Sequence, residues 1–172
     1  MILITRANEN DAQLLSKLAE QTFIESHGKS AKWEEINNFI EQNYNEPVLE
    51  KELQDPRNIF HLLYHSDTVA GYSKMVLDSP YLKSEVKNVA KLERIYLLKE
   101  FYHLNLGSTL FEFNADLAKQ NNQSGMWLFV WIENRRAIDF YRKKGFSIIG
   151  IHDFKISENH SNPNHQMFLG FK

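Results

Sequence analysis

Between Lys91 and Gly150 the hydrophobic pattern changes period several times, and few folds accommodate that order. Val89–Leu98 reads as a strand that runs into a turn at Tyr102–Gly107. Residues 107–120 read as a helix, with Leu106, Leu110, Phe113 and Leu117 recurring on one face. Asn121–Gly125 (NNQSG) forms its exit. Met126–Trp131 (MWLFVW) is largely apolar, as a strand covered on both faces should be. A short helix over Asn134–Lys144 follows, stopped by Gly145, and Phe146–Ile151 reads as another strand. Strand, helix, strand, helix and strand in succession require a mixed α/β sheet with a crossover connection.

The remainder of the chain fits around that unit. Ile2 and Ile4 alternate in a first short strand, ILITRA. Asn10 or Asp11 can cap a helix over Gln13–Glu25, where Leu14, Leu15, Leu18, Ala19 and Phe23 recur at helical spacing and which Gly28 ends. Further helices are expected at Lys32–Asn43 and at Pro47–Leu53, where proline suits a first turn. Asn58–Tyr64 and Thr68–Leu77 read as a hairpin turning at His65–Asp67, and Gly71 marks a bulge or a close backbone approach. Asp78–Asn88 is a polar loop. Glu158–Gln166 reads as another, leaving Met167–Phe171 as a last strand paired with Phe146–Ile151. His160 and His165 are expected to lie exposed in that loop. The exposed last strands are suited to pairing between subunits, which makes a homodimer an expectation.

A length of 172 residues, 42% of them hydrophobic, suits one domain over residues 1–172 with one core. The absence of cysteine excludes disulfides, thiolate metal sites and a cysteine nucleophile. No histidine pair has metal-ligand spacing, and no metal is expected. The N-terminus lacks a signal-peptide pattern, and no apolar run approaches the ~20 residues of a membrane span, so a soluble cytoplasmic protein is expected. Charge is unevenly distributed. Residues 1–90 carry 9 Lys/Arg against 14 Asp/Glu, whereas residues 91–150 carry 9 against 6. That division suits two ligands of opposite sign, or simply an uneven solvated surface. The basic excess is too small for a nucleic-acid footprint.

Three features carry chemistry. The turn ending at Gly107 opens a helix, whose unpaired N–H groups and dipole favour phosphate. Glu93 is a carboxylate in an apolar strand, which must be paired, solvated or set in a cleft. It is a candidate general base, and equally a candidate for a salt bridge at the sheet face. Asn134 and Tyr141 stand seven residues apart, two helical turns, and so share a face. Tyr141 can act as a general acid toward a departing thiolate, although a core tyrosine reads the same way.

Together, ERIYL, the turn before STLFEF, WLFVW and NRRAIDFYRKKGF resemble the core of the GNAT (Gcn5-related) N-acetyltransferases. The last segment is the most specific, with its Asn, then A-I-x-F-Y, then K-x-G-F. Within the family the chain looks most like the bacterial spermidine/spermine N-acetyltransferases, which share ERIY, the W-L-x-V-W strand and an early LEKEL, here Leu49–Leu53. The resemblance implies the GNAT acyl-CoA N-acyltransferase fold: a central mixed, twisted sheet of six to seven strands flanked by about four to five helices. The family's pyrophosphate loop is usually Q/R-x-x-G-x-G/A. Here it is Tyr102, His103, Leu104, Asn105, Leu106 and Gly107: the last glycine is kept, Tyr102 replaces Gln or Arg, and Asn105 stands where the middle glycine is usual. Asparagine tolerates left-handed backbone geometry better than most residues, so the loop can keep its shape.

The resemblance also implies roles. Acetyl-CoA would pair its pantetheine with the backbone of Ile95, Tyr96 and Leu97, and set its pyrophosphate on the N–H groups of His103 to Ser108. Asn134 would hold the pantetheine arm and Arg142 would meet the adenosine phosphates. A primary amine, such as spermidine or spermine, would enter over the acidic helices and lose a proton to Glu93. It would then attack the thioester directly, with Tyr141 protonating the thiolate. Three other readings stay open: a non-catalytic acyl-CoA-binding module, a peptide or protein N-acetyltransferase, and a regulatory protein of the same fold.

Overall fold

The computed structural model describes residues 1–172. They form a seven-stranded sheet in the order β1-β2-β3-β4-β5-β7-β6, with five α-helices, and divide into two compact units. Met1–Met75 with Arg94–Asn114 make one unit; Val76–Glu93 with Ala115–Lys172 make the other. No helix is long and apolar enough to cross a membrane.

In the first unit, β1 (Ile2–Arg6) pairs antiparallel with β2 (Asn58–His65), from Ile2↔His65 to Arg6↔His61. Asn8 caps a 3-10 turn, Glu9–Asp11, its side chain accepting from Asn10 N, and Asp11 stands at the N-cap of the helix that follows, its carboxylate accepting from Asn8 N rather than from that helix. Helix α1 (Ala12–His27) follows and buries Leu15, Leu18, Ala19 and Phe23 of the stripe expected from sequence, while Leu14 is half-buried. Helix α2 (Trp33–Asn43) buries Ile36, Phe39 and Ile40. Helix α3 (Glu46–Gln54) is capped by Asn45, which accepts from Val48 N at 3.0 Å, and holds Pro47 in its first turn. Strands β2 and β3 (Thr68–Val76) are joined through Ser66 and Asp67, at φ 48° and 67°. Two consecutive left-handed residues match the right-handed twist of a two-residue hairpin. Gly71 is a close approach: a Cβ there would collide with Tyr96 O. Leu63, Ala70, Leu106 and Leu110 are fully buried together, with Ile4, Ile95, Leu97 and Phe101 against them.

The second unit is built on β5 (Gly125–Trp131). The start of β4 (Val89–Leu97) pairs parallel with it, and β7 (His160–Gly170) pairs antiparallel along its whole length, from Gly125↔Gly170 to Trp131↔Asn164. β6 (Ser147–Ser157) forms the edge against β7, with a register shift between Ile148 and Gly150. The loop before β4 is pinned by two bonds between Asp78 and Gln123 and by Trp127 Nε1 donating to Ser79 O at 2.6 Å.

The C-terminal hairpin corrects the sequence reading. The expected loop over Glu158–Gln166 is a tight turn followed by strand, and each hairpin strand is 11 residues long. Its polar residues alternate in burial: Asn162 and Asn164 are buried while Ser161 and Pro163 are exposed, a strand period written in polar letters. Pro163 is tolerated because the β5 pairing has ended one residue away, at Asn164. His160 and His165 are therefore strand residues and partly buried, and His165 Nδ1 is enclosed with no hydrogen-bond partner.

Candidate functional site

The parallel pairing of β4 with β5 covers Val89↔Gly125, Ala90↔Met126 and Lys91↔Trp127, and there it stops. Leu92 and Glu93 run on without being matched to Leu128 and Phe129. Backbone donors and acceptors that leave a ladder need other partners, and an extended ligand can supply them. Ile95, Tyr96 and Leu97 continue the strand and are half-buried. The chain then makes a 3-10 turn at Lys99–Phe101 and reaches Tyr102. His103 and Asn105 both take left-handed backbone, at φ 70° and 58°. Asn105 thus adopts the conformation for which a glycine is otherwise chosen. The second left-handed residue, His103, had no signal in the sequence. His103, Leu104 and Asn105 are exposed, Leu106 is buried, and Gly107 and Ser108 are half-buried.

Helix α4 (Leu106–Gln120) starts straight from this loop, with no acidic residue in its first turn. Its ladder opens with Thr109 N donating to Asn105 O at 3.2 Å. The N–H groups of Leu106, Gly107 and Ser108 precede that bond, so they have no partner within the helix and favour an anion.

Helix α5 (Arg135–Lys143) explains the chain's most distinctive segment. Asn134 caps it: Oδ1 accepts from Ala137 N at 3.2 Å. The helix therefore begins one residue later than expected, and Asn134 stands just outside it with its oxygen engaged. Ile138 and Tyr141 form the buried face. At the far end Gly145, at φ 98°, closes a Schellman motif. Phe146 N donates to Tyr141 O and Gly145 N to Arg142 O, each at 3.0 Å. The Phe146 ring meets the Tyr141 ring edge-on, with centroids 5.5 Å apart. Arg142 and Lys143 sit in the last turn, where cations complement the helix dipole. Tyr141 is only 8% exposed, and burial pushes its pKa well above the ordinary tyrosine value. It holds its proton throughout the neutral range.

Glu93 lies at the edge of the second unit with its carboxylate 3.8 Å from Lys91 Nζ. Both side chains retain some exposure, 29% and 24%.

Comparison with known proteins identifies the family. The sequence profile described as the acetyltransferase (GNAT) family matches residues 14–146. The chain belongs to the GNAT acetyltransferase family. An uncharacterized N-acetyltransferase of Lactobacillus delbrueckii subsp. lactis is 32% identical over 158 residues, covering 92% of this chain and 91% of the relative. Spermidine N(1)-acetyltransferase of Thermoplasma acidophilum is 25% identical over 140 residues, covering 74% and 82%. Among solved structures, the PaiA N-acetyltransferase of Thermoplasma acidophilum in complex with coenzyme A superposes with a TM-score of 0.80 at 21% identity, covering 99% of both chains. The activity class is that of an acetyl-CoA-dependent N-acetyltransferase.

Sequence reasoning missed a second polar centre, in the first unit of this GNAT chain. Arg94 Nη1 and Nη2 donate to the two oxygens of Glu52 on α3, at 3.0 Å each. Lys74 Nζ on β3 lies 3.0 Å from the same carboxylate. The Arg94 guanidinium also lies 5.1 Å from the centre of the Tyr44 ring. Burial opposes the Arg94 charge, but Tyr44, Tyr72 and Glu52 outweigh it and hold its pKa above the ordinary value. Tyr72 is fully buried, and burial raises its pKa. An arginine one residue after a glutamate in an apolar strand was the available signal, because alternation sends the two side chains to opposite faces.

Proposed function

We propose that this protein moves the acetyl group of acetyl-CoA to a primary amine of a polyamine such as spermidine or spermine, by direct attack in a ternary complex. The observation that carries the reading is the end of the β4–β5 ladder at Lys91↔Trp127. It supports strand-like pairing of the pantetheine with Ile95, Tyr96 and Leu97. The left-handed backbone at His103 and Asn105 and the N–H groups of Leu106 to Ser108 support a pyrophosphate cradle over Tyr102–Ser108, with Leu104 exposed along it. Asn134 offers the pantetheine its Nδ2 hydrogens, since Oδ1 is engaged with Ala137 N. Arg142, exposed on the last turn of α5, suits the adenosine phosphates. The likeness to a spermidine N(1)-acetyltransferase supports the polyamine as acceptor.

The chemistry follows from these groups. An ammonium has no lone pair, so Glu93 first accepts a proton from it. The free nitrogen then adds to the thioester carbonyl, the C–S bond breaks, and Tyr141 O–H gives its proton to the departing thiolate. The amide nitrogen sheds its second proton, which restores Tyr141 through solvent, and the net release is one proton. Tyr141 enters this step protonated, because burial raises its pKa, and so has a proton to give.

An acetyl-transfer screen with free thiol as readout tests the reading. Spermidine and spermine are compared with aminoglycosides, amino acids and peptides. The proposal expects spermidine or spermine to give the highest kcat/KM, and a peptide or amino acid at the head of the series would overturn it.

A further inference from the structure

One face of the second unit is built of aromatic rings around a cation. Lys91 Nζ lies 5.1 Å from the centre of the Trp127 ring and 5.5 Å from that of Phe129. The two rings meet edge-on at 86°, so they form two walls of a corner. Phe129 is held from behind by His152, stacked at 4.2 Å and 16°. Trp127 is fixed by its hydrogen bond to Ser79 O and by Tyr81, edge-on at 5.9 Å. The carboxylate of Glu93 closes the remaining side, 3.8 Å from the ammonium. Two ring faces and a carboxylate around one ammonium make a recognition geometry for alkylammonium ions.

We infer that this corner is an ammonium-binding subsite for the acceptor amine, and that Lys91 is its resident competitor. The inference rests on the amine-acceptor reading and sharpens it. The acceptor it selects is an alkyl amine presented as a cation, with methylene groups next to the nitrogen to lie along Trp127 and Phe129. The walls are rigid and the occupant is not. Trp127 is 6% exposed and hydrogen-bonded, whereas the Lys91 side chain is 24% exposed on a flexible stem. Its separation from Glu93 is at the long limit for an ion pair. A ligand ammonium can therefore displace the Lys91 head into solvent without disturbing the rings. It then rests beside Glu93, the group proposed to take its proton. Capture as a cation and removal of the proton become consecutive events at one place. The resident lysine ammonium keeps weakly bound cations out.

The test reads binding in the absence of acetyl-CoA, so it is separable from the turnover screen. The wild-type protein and Lys91→Met are titrated with n-butylammonium and with spermidine, and neutral n-butanol is the control. The Trp127 indole N–H signal, assigned by Trp127→Phe, reports occupancy by NMR. Methionine keeps the apolar stem over the rings and removes the charge. Lys91→Gln serves as a second variant, and melting temperatures verify that each is folded. Lys91→Met is expected to bind both cations at least about ten-fold more tightly than the wild type does, because it lacks the competitor. Adding Phe129→Leu to Lys91→Met should lose most of that gain. Equal affinities in the wild type and both Lys91 variants would overturn the inference. So would a response to n-butanol equal to that for n-butylammonium, or indifference to Phe129→Leu. If the cations bind as expected but no polyamine is acetylated, the subsite stands and the acceptor proposed above falls.

Discussion

Replacing Glu52 with glutamine tests how the first unit is held together. The side chain keeps its shape and loses one charge. Arg94 then keeps a guanidinium that is 12% exposed and has lost both hydrogen bonds to a carboxylate. Breaking a buried pair from one side costs roughly 3–5 kcal/mol, because the other charge stays buried. Glu52 itself is 22% exposed, so water reaches part of the site and the cost falls to about 2–3 kcal/mol. For a chain of this length each kcal/mol moves Tm by roughly 2–4 °C, so Glu52→Gln should lower it by about 4–12 °C. Calorimetry measures the shift, and urea unfolding gives the free energy. A cycle with Arg94→Met isolates the coupling: in the Arg94→Met background, Glu52→Gln should cost much less. A Glu52→Gln melting temperature within about 1 °C of wild type would refute the argument, because the network would then contribute nothing measurable.

Three further outcomes follow from particular groups. Burial lowers the pKa of His27 to about 4, and burial with Arg6 nearby lowers that of His61 to about 4. Between that value and the unfolded value near 6.5 the unfolded chain binds more protons, so stability is lost as pH falls through this window, by on the order of 3 kcal/mol for each histidine. Urea midpoints at several pH values should show that slope, and His27→Gln with His61→Gln should flatten it; an unchanged slope would remove the histidines as its cause. At Asn105, φ 58° suits glycine, so Asn105→Gly should leave KM for acetyl-CoA within about two-fold, while Asn105→Val should cost about 1–2 kcal/mol and raise KM; equal KM values for the two would detach the loop from donor binding. Tyr141→Phe should lower kcat by about 100-fold or more with the dissociation constant for acetyl-CoA little changed, and in wild type the raised Tyr141 pKa should leave kcat flat up to about pH 10; undiminished turnover would exclude Tyr141 as the acid.

Much of the fold was legible because its elements keep simple periods. The buried stripe of α1 and the hairpin of β2 and β3 were readable from apolar spacing and from the turn residues at Ser66 and Asp67. The C-terminal hairpin was not, since its buried face carries Asn162 and Asn164, which hydropathy reads as loop. The site divides in the same way. Asn105 was legible as a left-handed residue because its chemistry announces the backbone. The Glu52–Arg94–Lys74 centre was not, because its members come from α3, β4 and β3, and no local pattern links them. The corner of Trp127 and Phe129 around Lys91 is hidden for the same reason. Alternation shows that the two aromatics share a face of β5, but only the register Lys91↔Trp127 brings the cation to them.

The most family-specific segment, NRRAIDFYRKKGF, owes its specificity largely to folding. Its asparagine is an N-cap, its glycine a left-handed C-terminal stop, and its last phenylalanine the apolar partner of that stop. Those three requirements fix the length of α5, and with it the position of Tyr141, whose carbonyl accepts the closing bond from Phe146. A tyrosine in the middle of a longer helix could drift with fraying at either end. Here both ends are locked within nine residues, and the aromatic ring is buried against Phe146. The motif that looks like a catalytic signature is thus a device for holding one hydroxyl in place. Stability and proposed chemistry should be separable within it. Loss of the Tyr141 hydroxyl removes the proposed proton donor and leaves both caps intact, whereas a side chain at Gly145 strains the stop and leaves that hydroxyl's chemistry unchanged.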